Sequence, residues 1–458
     1  MKDKGGKRKK VEFELQVMRK NVAGADIGSR EHWICAPAVQ GEGCEVERFG
    51  STTAELYRMA QWMKARGVKS VAMESTSVYW ISVFEVLDRQ GFEVILVNAR
   101  CLMSVPGRKT DVLDCKWIQK LHSCGLLKGS FRPADGVCAL RALVRERATL
   151  ISQQSDWIRR MQKAFDQMNI RLHHAVADIS GTTGMAIVRA IVKGERDPKR
   201  LAEFRDARCK KSSEEIIAYL QGNWRDEHLF NLEQALKMYD FLGERMDAYD
   251  AAIMQALQRL EQPELQHSAP PALPTTSKMR TLMRRGQEPM REALYRLNGV
   301  DLLTIDAIGA ETAETVLSEF GWNLSTFPTE RHFVSYLRLS PKLAISGGKP
   351  LRGKRRQSTA TRVGTALRTA ASTLRHSKTA LGAEYRRLAR IKGPGVAVFA
   401  MARRLAVLIY RLLKHGQAYV DQGMKVYEER FQQRKLAACQ NMAKSLGFGL
   451  VTLPQTAT

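Results

Sequence analysis

No apolar run in this 458-residue sequence reaches the roughly 18 residues that crossing a bilayer requires, so no membrane span is expected. No Cys-x-x-Cys pair occurs among the eight cysteines, and no set of four Cys and His shows the paired spacing of a zinc finger. No zinc site is expected, and the cysteines read as reduced core or surface thiols. The most telling scarcity is of acid. Residues 331–414 hold 20 Lys and Arg against one acid, Glu384, and Met1–Lys10 holds six against Asp3. These two segments account for nearly all of the net charge of +26. Ordinary surfaces mix both signs, so so one-sided a charge calls for a polyanionic partner, whose phosphates release counterions when neutralised. Hydrophobic residues make up 44%, enough for packed cores, and 458 residues exceed a single core, so two or three domains are expected.

The chain is anchored on Gly24-Ala25-Asp26-Ile27-Gly28-Ser29. Val22, Ala23 and Ala25 form an apolar strand that ends in a carboxylate, Asp26, and Gly28 lets the backbone turn away without a Cβ clash. Asn21–Gly28, His32–Val39 and Cys44–Phe49 read as strands. Thr52–Arg66 has helical spacing, Lys69–Met73 is a strand ending in Glu74, Trp80–Arg89 is helical, and Phe92–Val97 is a further strand. This β-β-β-α-β-α-β order resembles a ribonuclease H-like layered fold.

After the loop residues Pro106 and Gly107, Thr110 caps a helix whose first turn carries Asp111 and Asp114 on one face. Four carboxylates at two strand ends and one helix start repel one another unless divalent cations lie between them. That is how Mg²⁺ or Mn²⁺ sites for phosphodiester chemistry are built.

Asp26, Glu74, Asp111 and Asp114, in GADIGS, AMESTSVYW and GRKTDVLDCKWI, resemble the DEDD tetrad of IS110 family transposases, including the IS1111 group. The resemblance implies an α/β RNase H-like (RuvC-like) N-terminal domain, a central helical or coiled-coil region, and a mainly α-helical C-terminal domain. The expected division is a basic tail (1–20), the RuvC-like domain (21–130), a helical region (131–260), a linker (261–294), a transposase domain (295–415) and a C-terminal tail (416–458).

Asp135–Asn169 reads as one long amphipathic helix, and Leu220–Leu260 as a second, with spacing suited to a helical hairpin or a coiled-coil partner. His173 and His174 are neighbours that cannot share a helix face, which favours a packing or surface role. Gln262–Ser277, with prolines 263, 270, 271 and 274, reads as a linker that allows freedom between the two ends of the chain. Residues around Ala307-Ile308-Gly309 resemble a helix-hairpin-helix in which Ala307 replaces the first hairpin glycine.

Ser346-Gly347-Gly348 is, from the residues alone, more simply a glycine turn than a nucleophile. Leu303–Leu413, however, resembles the IS116/IS110/IS902 transposase domain, and Ser346 is the position that matches its nucleophilic serine. Lys349, Arg352, Lys354, Arg355 and Arg356 follow, and Arg362 and Arg368 lie on the next amphipathic helix, so these seven are the candidate nucleic-acid contacts. The resemblance implies a cytoplasmic, nucleoid-associated enzyme. It would excise and insert its own element through a serine–DNA link assisted by Mg²⁺ or Mn²⁺, acting on element ends and target DNA with a guide RNA, as a dimer or tetramer. Two other readings remain: a metal-dependent structure-specific nuclease using the tetrad alone, and a noncatalytic nucleic-acid-binding protein.

Overall fold

The computed structural model describes residues 16–40, 43–75, 77–98, 110–265, 269–273, 276–340, 345–346, 349–350, 361–416, 429, 432–433 and 435–449. The chain divides into two units, residues 1–132 and 133–458.

In the first unit, β1 (Val22–Ile27), β2 (Glu31–Pro37), β3 (Cys44–Gly50), β4 (Ser70–Glu74) and β5 (Glu93–Val97) form one sheet in the order β3-β2-β1-β4-β5. The first three strands pair antiparallel, and β4 and β5 join parallel to β1. Strand alternation sends Ala23, Ala25 and Ile27 to one face, where they pack with Leu56, Met59 and Met63 of α1 (Thr53–Ala65) and Val83 and Leu87 of α2 (Trp80–Arg89). The opposite face receives Ile118 of α3 (Asp111–Ser123), packed against Ala72 and Val97. A mixed sheet with helices on both faces is consistent with the RuvC-like α/β domain. Thr52 and Thr110 cap α1 and α3 with their hydroxyls, as their places in the sequence suggest.

The second unit is mainly helical. α4 (Asp135–Gln167) and α9 (Asp226–Gln258) form an antiparallel hairpin, with Arg147 paired to Asp250 and Gln154 bonded to the carbonyl of Tyr239. The expected choice between an internal hairpin and a partner helix thus falls to the hairpin for α4. Between them, α5 (Leu172–Ala175), α6 (Thr182–Val192), α7 (Pro198–Ala202) and α8 (Ser213–Leu220) close a core around Phe165, Ile187 and Leu220. His174 lies against the Tyr219 ring and His173 against Asp166, in keeping with the packing role expected of that pair.

Residues 261–294 differ from the linker expected. They contain α10 (Thr276–Arg284) and most of α11 (Glu288–Arg296). Buried Arg291 donates to Asp301 at 2.6 and 2.9 Å and also to the carbonyl of Pro271, and Lys278 donates to the carbonyl of Ile305 at 2.7 Å. Pro263 opens a 3-10 turn and Pro289 stands in the first turn of α11, and the two cations tie the described backbone around them to residues 301–305 and to Pro271.

The expected helix-hairpin-helix also differs. Its first arm is a single 3-10 turn, Leu302–Thr304, and only the second, α12 (Ala310–Phe320), is a full helix. Ala307 nevertheless takes the glycine-like conformation, with φ at 65°. Beyond it, α13 (Glu330–Tyr336), α14 (Arg362–Thr373), α15 (Ala380–Lys392) and α16 (Pro394–His415) form a bundle. An aromatic cluster of Phe320, Phe327, Phe333 and Tyr410 fills it, with the Tyr410 hydroxyl donating to the Phe327 carbonyl at 2.7 Å. Before α14, a short hairpin pairs β6 (Ile345–Ser346) with β7 (Lys349–Pro350).

Candidate active site

Asp26 and Glu74 stand at the C-terminal ends of adjacent parallel strands, one residue beyond the Ala25–Met73 pair, so they lie side by side at one edge of the sheet. The turn after Asp26 needs glycine: a Cβ on Gly28 would lie 2.7 Å from the carbonyl oxygen of Glu31, whose carbonyl also accepts from the Gly28 N–H at 3.0 Å. Asp111 and Asp114 enter from the first turn of α3, where the helix dipole favours negative charge.

The electrostatics tie the four together. The Asp26 carboxyl is pushed up to about 6, chiefly by burial and then by the charges of Asp111, Asp114 and Glu74, against a hydrogen bond from the Ile27 backbone. Cys115, next to Asp114, has its thiol pushed up to about 12 by burial, with the Asp26 charge adding to it, so it is a neutral packing group. Among the described residues no three carboxylate, cysteine or histidine side chains already enclose a single point at ion-holding distance. The tetrad is therefore gathered within mutual electrostatic reach but not closed on a point, as like charges dictate. Oxygen-only donors of this kind suit a hard divalent cation and not zinc. Cys35 and Cys115 are buried thiols, and Cys44 is an exposed one.

The basic candidates fare differently. Ser346 pairs through its backbone with Lys349 in the β6–β7 ladder, and the side chains of both lie outside the described residues, as do Arg352, Lys354, Arg355 and Arg356 altogether. Arg362 is exposed at the start of α14. Arg368 is drawn back onto the protein: it donates to Thr365 at 3.1 Å and lies over the Phe399 ring. Arg375, Arg387, Arg390 and Arg403 add further exposed cations on the same bundle.

Sequence reading overlooked how α3 is held. Gly24 meets its backbone directly, the Gln119 amide reaches the Val22 carbonyl at 3.5 Å, and buried Ser70 and His122 are bonded at 2.9 Å. Burial lowers the pKa of His122, which keeps that contact uncharged. The available signal was a glycine two residues before Asp26 on the same strand face.

Two family models match. One, described as a transposase of the DEDD IS110 type, covers residues 23–170, and one described as transposase IS116/IS110/IS902 family covers 299–386. No curated protein matches the chain. The first model spans the sheet and all four carboxylates, and the second the Ser346 hairpin and three of the helices after α11. The chain belongs to the IS110 family of insertion-sequence transposases.

Proposed function

We propose that the protein recombines DNA by attack of the Ser346 hydroxyl on a backbone phosphodiester, with Asp26, Glu74, Asp111 and Asp114 holding the divalent cation that assists. The observation that carries this reading is the placement of Asp26 and Glu74 at the ends of the paired strands β1 and β4, with Asp111 and Asp114 in the first turn of the helix that covers that face. When bound, Mg²⁺ or Mn²⁺ would supply charge neutralisation for the phosphate oxygens. The protein's own part is to present Asp26 and Glu74 from fixed strand ends and to bring two more acids from the rigid first turn of α3. In the chemical step, the serine Oγ loses its proton and bonds to phosphorus. One P–O bond of the DNA breaks, and the departing oxygen takes up a proton. The phosphoserine link keeps the phosphodiester energy, so resealing onto a new strand needs no external energy.

The cationic bundle of α14–α16 is the surface offered to DNA at the element ends and target, and to a guide RNA. We place the working assembly at a dimer or tetramer, with the serine domain at 295–415 and the RuvC-like domain at 21–130.

The test is a denaturing gel of protein incubated with end-labelled element-junction DNA, Mg²⁺ and RNA from the element's flank. Wild type is expected to give a protein-linked DNA band that Ser346→Ala abolishes and Asp26→Asn abolishes or nearly so. Loss of the band on omitting the RNA would establish guidance. Cleavage of equal extent in wild type and Ser346→Ala, with no linked band, would replace this reading with the metal-dependent nuclease.

A further inference from the structure

We propose that Gly24 is a positioning residue for the tetrad: its bare Cα is the seat on which α3 rests, and with the Ser70–His122 clasp it holds Asp111 and Asp114 beside Asp26. This rests on the four-carboxylate reading above.

Residues 24 and 26 point to the same face of β1, the face that α3 covers. A Cβ at position 24 would lie 2.2 Å from the Gln119 amide nitrogen, 2.5 Å from the Cys115 carbonyl oxygen and 2.8 Å from the Gln119 Cα. All three are backbone atoms of α3, so no rotamer change relieves the clash. Contacts between such atoms settle near 3.5 Å, so the helix would have to withdraw by roughly 1 Å or more.

The contact reaches Cys115, the residue after Asp114, and Gln119, five residues beyond it on the same rigid helix, so any withdrawal is passed to the acids with little loss. At its other end α3 is clasped through Ser70 Oγ and His122 Nε2, which are 2.9 Å apart on β4 and α3. β4 is the strand that carries Glu74. One helix is thus fixed at two points to the two strands bearing the other two acids. Metal–oxygen bonds tolerate only a few tenths of an ångström, and supporting geometry must hold to about 0.5 Å. A helix displaced by 1 Å therefore costs the site its cation even when the fold survives.

A glycine that served packing alone would give a different result, because its replacement would lower stability and leave cation binding intact. The full-length protein is titrated with Mn²⁺ by electron paramagnetic resonance, and its melting is followed by circular dichroism. Gly24→Ala is expected to bind Mn²⁺ at least tenfold more weakly than wild type. Ile118→Val, which removes one methylene from the core under the same helix without touching the seat, is expected to lower the melting temperature and leave Mn²⁺ affinity unchanged. Ser70→Ala tests the clasp with a variant that only loses a hydroxyl, and a two- to fivefold weakening is expected.

Wild-type Mn²⁺ affinity in folded Gly24→Ala overturns the inference alone. Should Gly24→Ala not fold, wild-type affinity in Ser70→Ala overturns it. A wild-type protein that takes up no Mn²⁺ overturns the tetrad reading and this inference with it.

Discussion

Asp26 carries a charge in a place that resists it. Its folded pKa of about 6 stands above the ordinary 3.8, so the folded state holds the proton more tightly than the unfolded chain does. Stability from this group is therefore present below the ordinary carboxylate value and is lost as pH rises through about 6. At about 1.4 kcal/mol per unit the full cost would be about 3 kcal/mol above that pH, and solvent screening reduces it to about 1–2 kcal/mol. Asp26→Asn removes the charge, so it is expected to raise the melting temperature at pH 8 by a few degrees without divalent cation. Near pH 4 the gain should disappear, and in scanning calorimetry a gain that is the same at both pH values would count against the strained carboxylate. Added Mn²⁺ should stabilise wild type and not the variant. The four acids were legible in the sequence because each sits beside a strand end, cap or glycine with its own local signature. Their support was not: Ser70 and His122 are 52 positions apart, and nothing in the periodicity of either segment announces the bond between them.

At the level of elements, local chemistry was a good guide and long-range pairing was not. The order of strands and helices in the first unit follows from period-two and period-3.6 patterns, several of them closed by Gly, Thr or Pro, as at Gly28, Pro37, Thr52, Gly91 and Thr110. Residues 261–294 misled because proline content speaks only of the local backbone, whereas the segment is fastened by Arg291, 5% exposed, to Asp301, 2% exposed. Asp301 is fully engaged, its other oxygen accepting from the Leu303 amide at 2.9 Å and so fixing the 3-10 turn ahead of α12. Arg291→Ala leaves that carboxylate buried without its guanidinium, with only the Lys278 charge still acting on it, and is expected to cost about 3 kcal/mol in urea unfolding. Arg291→Ala with Asp301→Asn removes the stranded charge while an amide oxygen still accepts from Leu303, so the double variant is expected to be more stable than Arg291→Ala alone. A cost below about 1 kcal/mol for Arg291→Ala would mean that the segment is held by something other than this pair.

For the molecule as a whole, charge decides what can be bound and how conditions alter it. The excess of +26 is concentrated in segments whose described part lies mainly in the bundle of α14–α16, and Arg362, Arg375, Arg387, Arg390 and Arg403 are exposed there. Not every cation of that region is available: Arg411 pairs with Glu330 at 2.7 Å and Arg368 folds back over Phe399. Counting charge from sequence therefore gives an upper bound on phosphate contacts, and the ion pairs say which residues to discount. Each phosphate neutralised contributes about −0.9 to the slope of log affinity against log salt, so six contacts would give a slope of about −5 on nonspecific duplex. Replacing Arg362, Arg375 and Arg403 together by Gln is expected to flatten that slope by about 2 to 3 and to weaken binding equally on unrelated sequences. Replacing Arg411 by Gln should change the slope by much less than one such residue, since its charge already answers Glu330. Fluorescence anisotropy over a range of KCl concentrations measures both. A triple variant with the wild-type slope would remove the α14–α16 bundle from the DNA-binding surface and leave the basic residues outside the described ones to carry it.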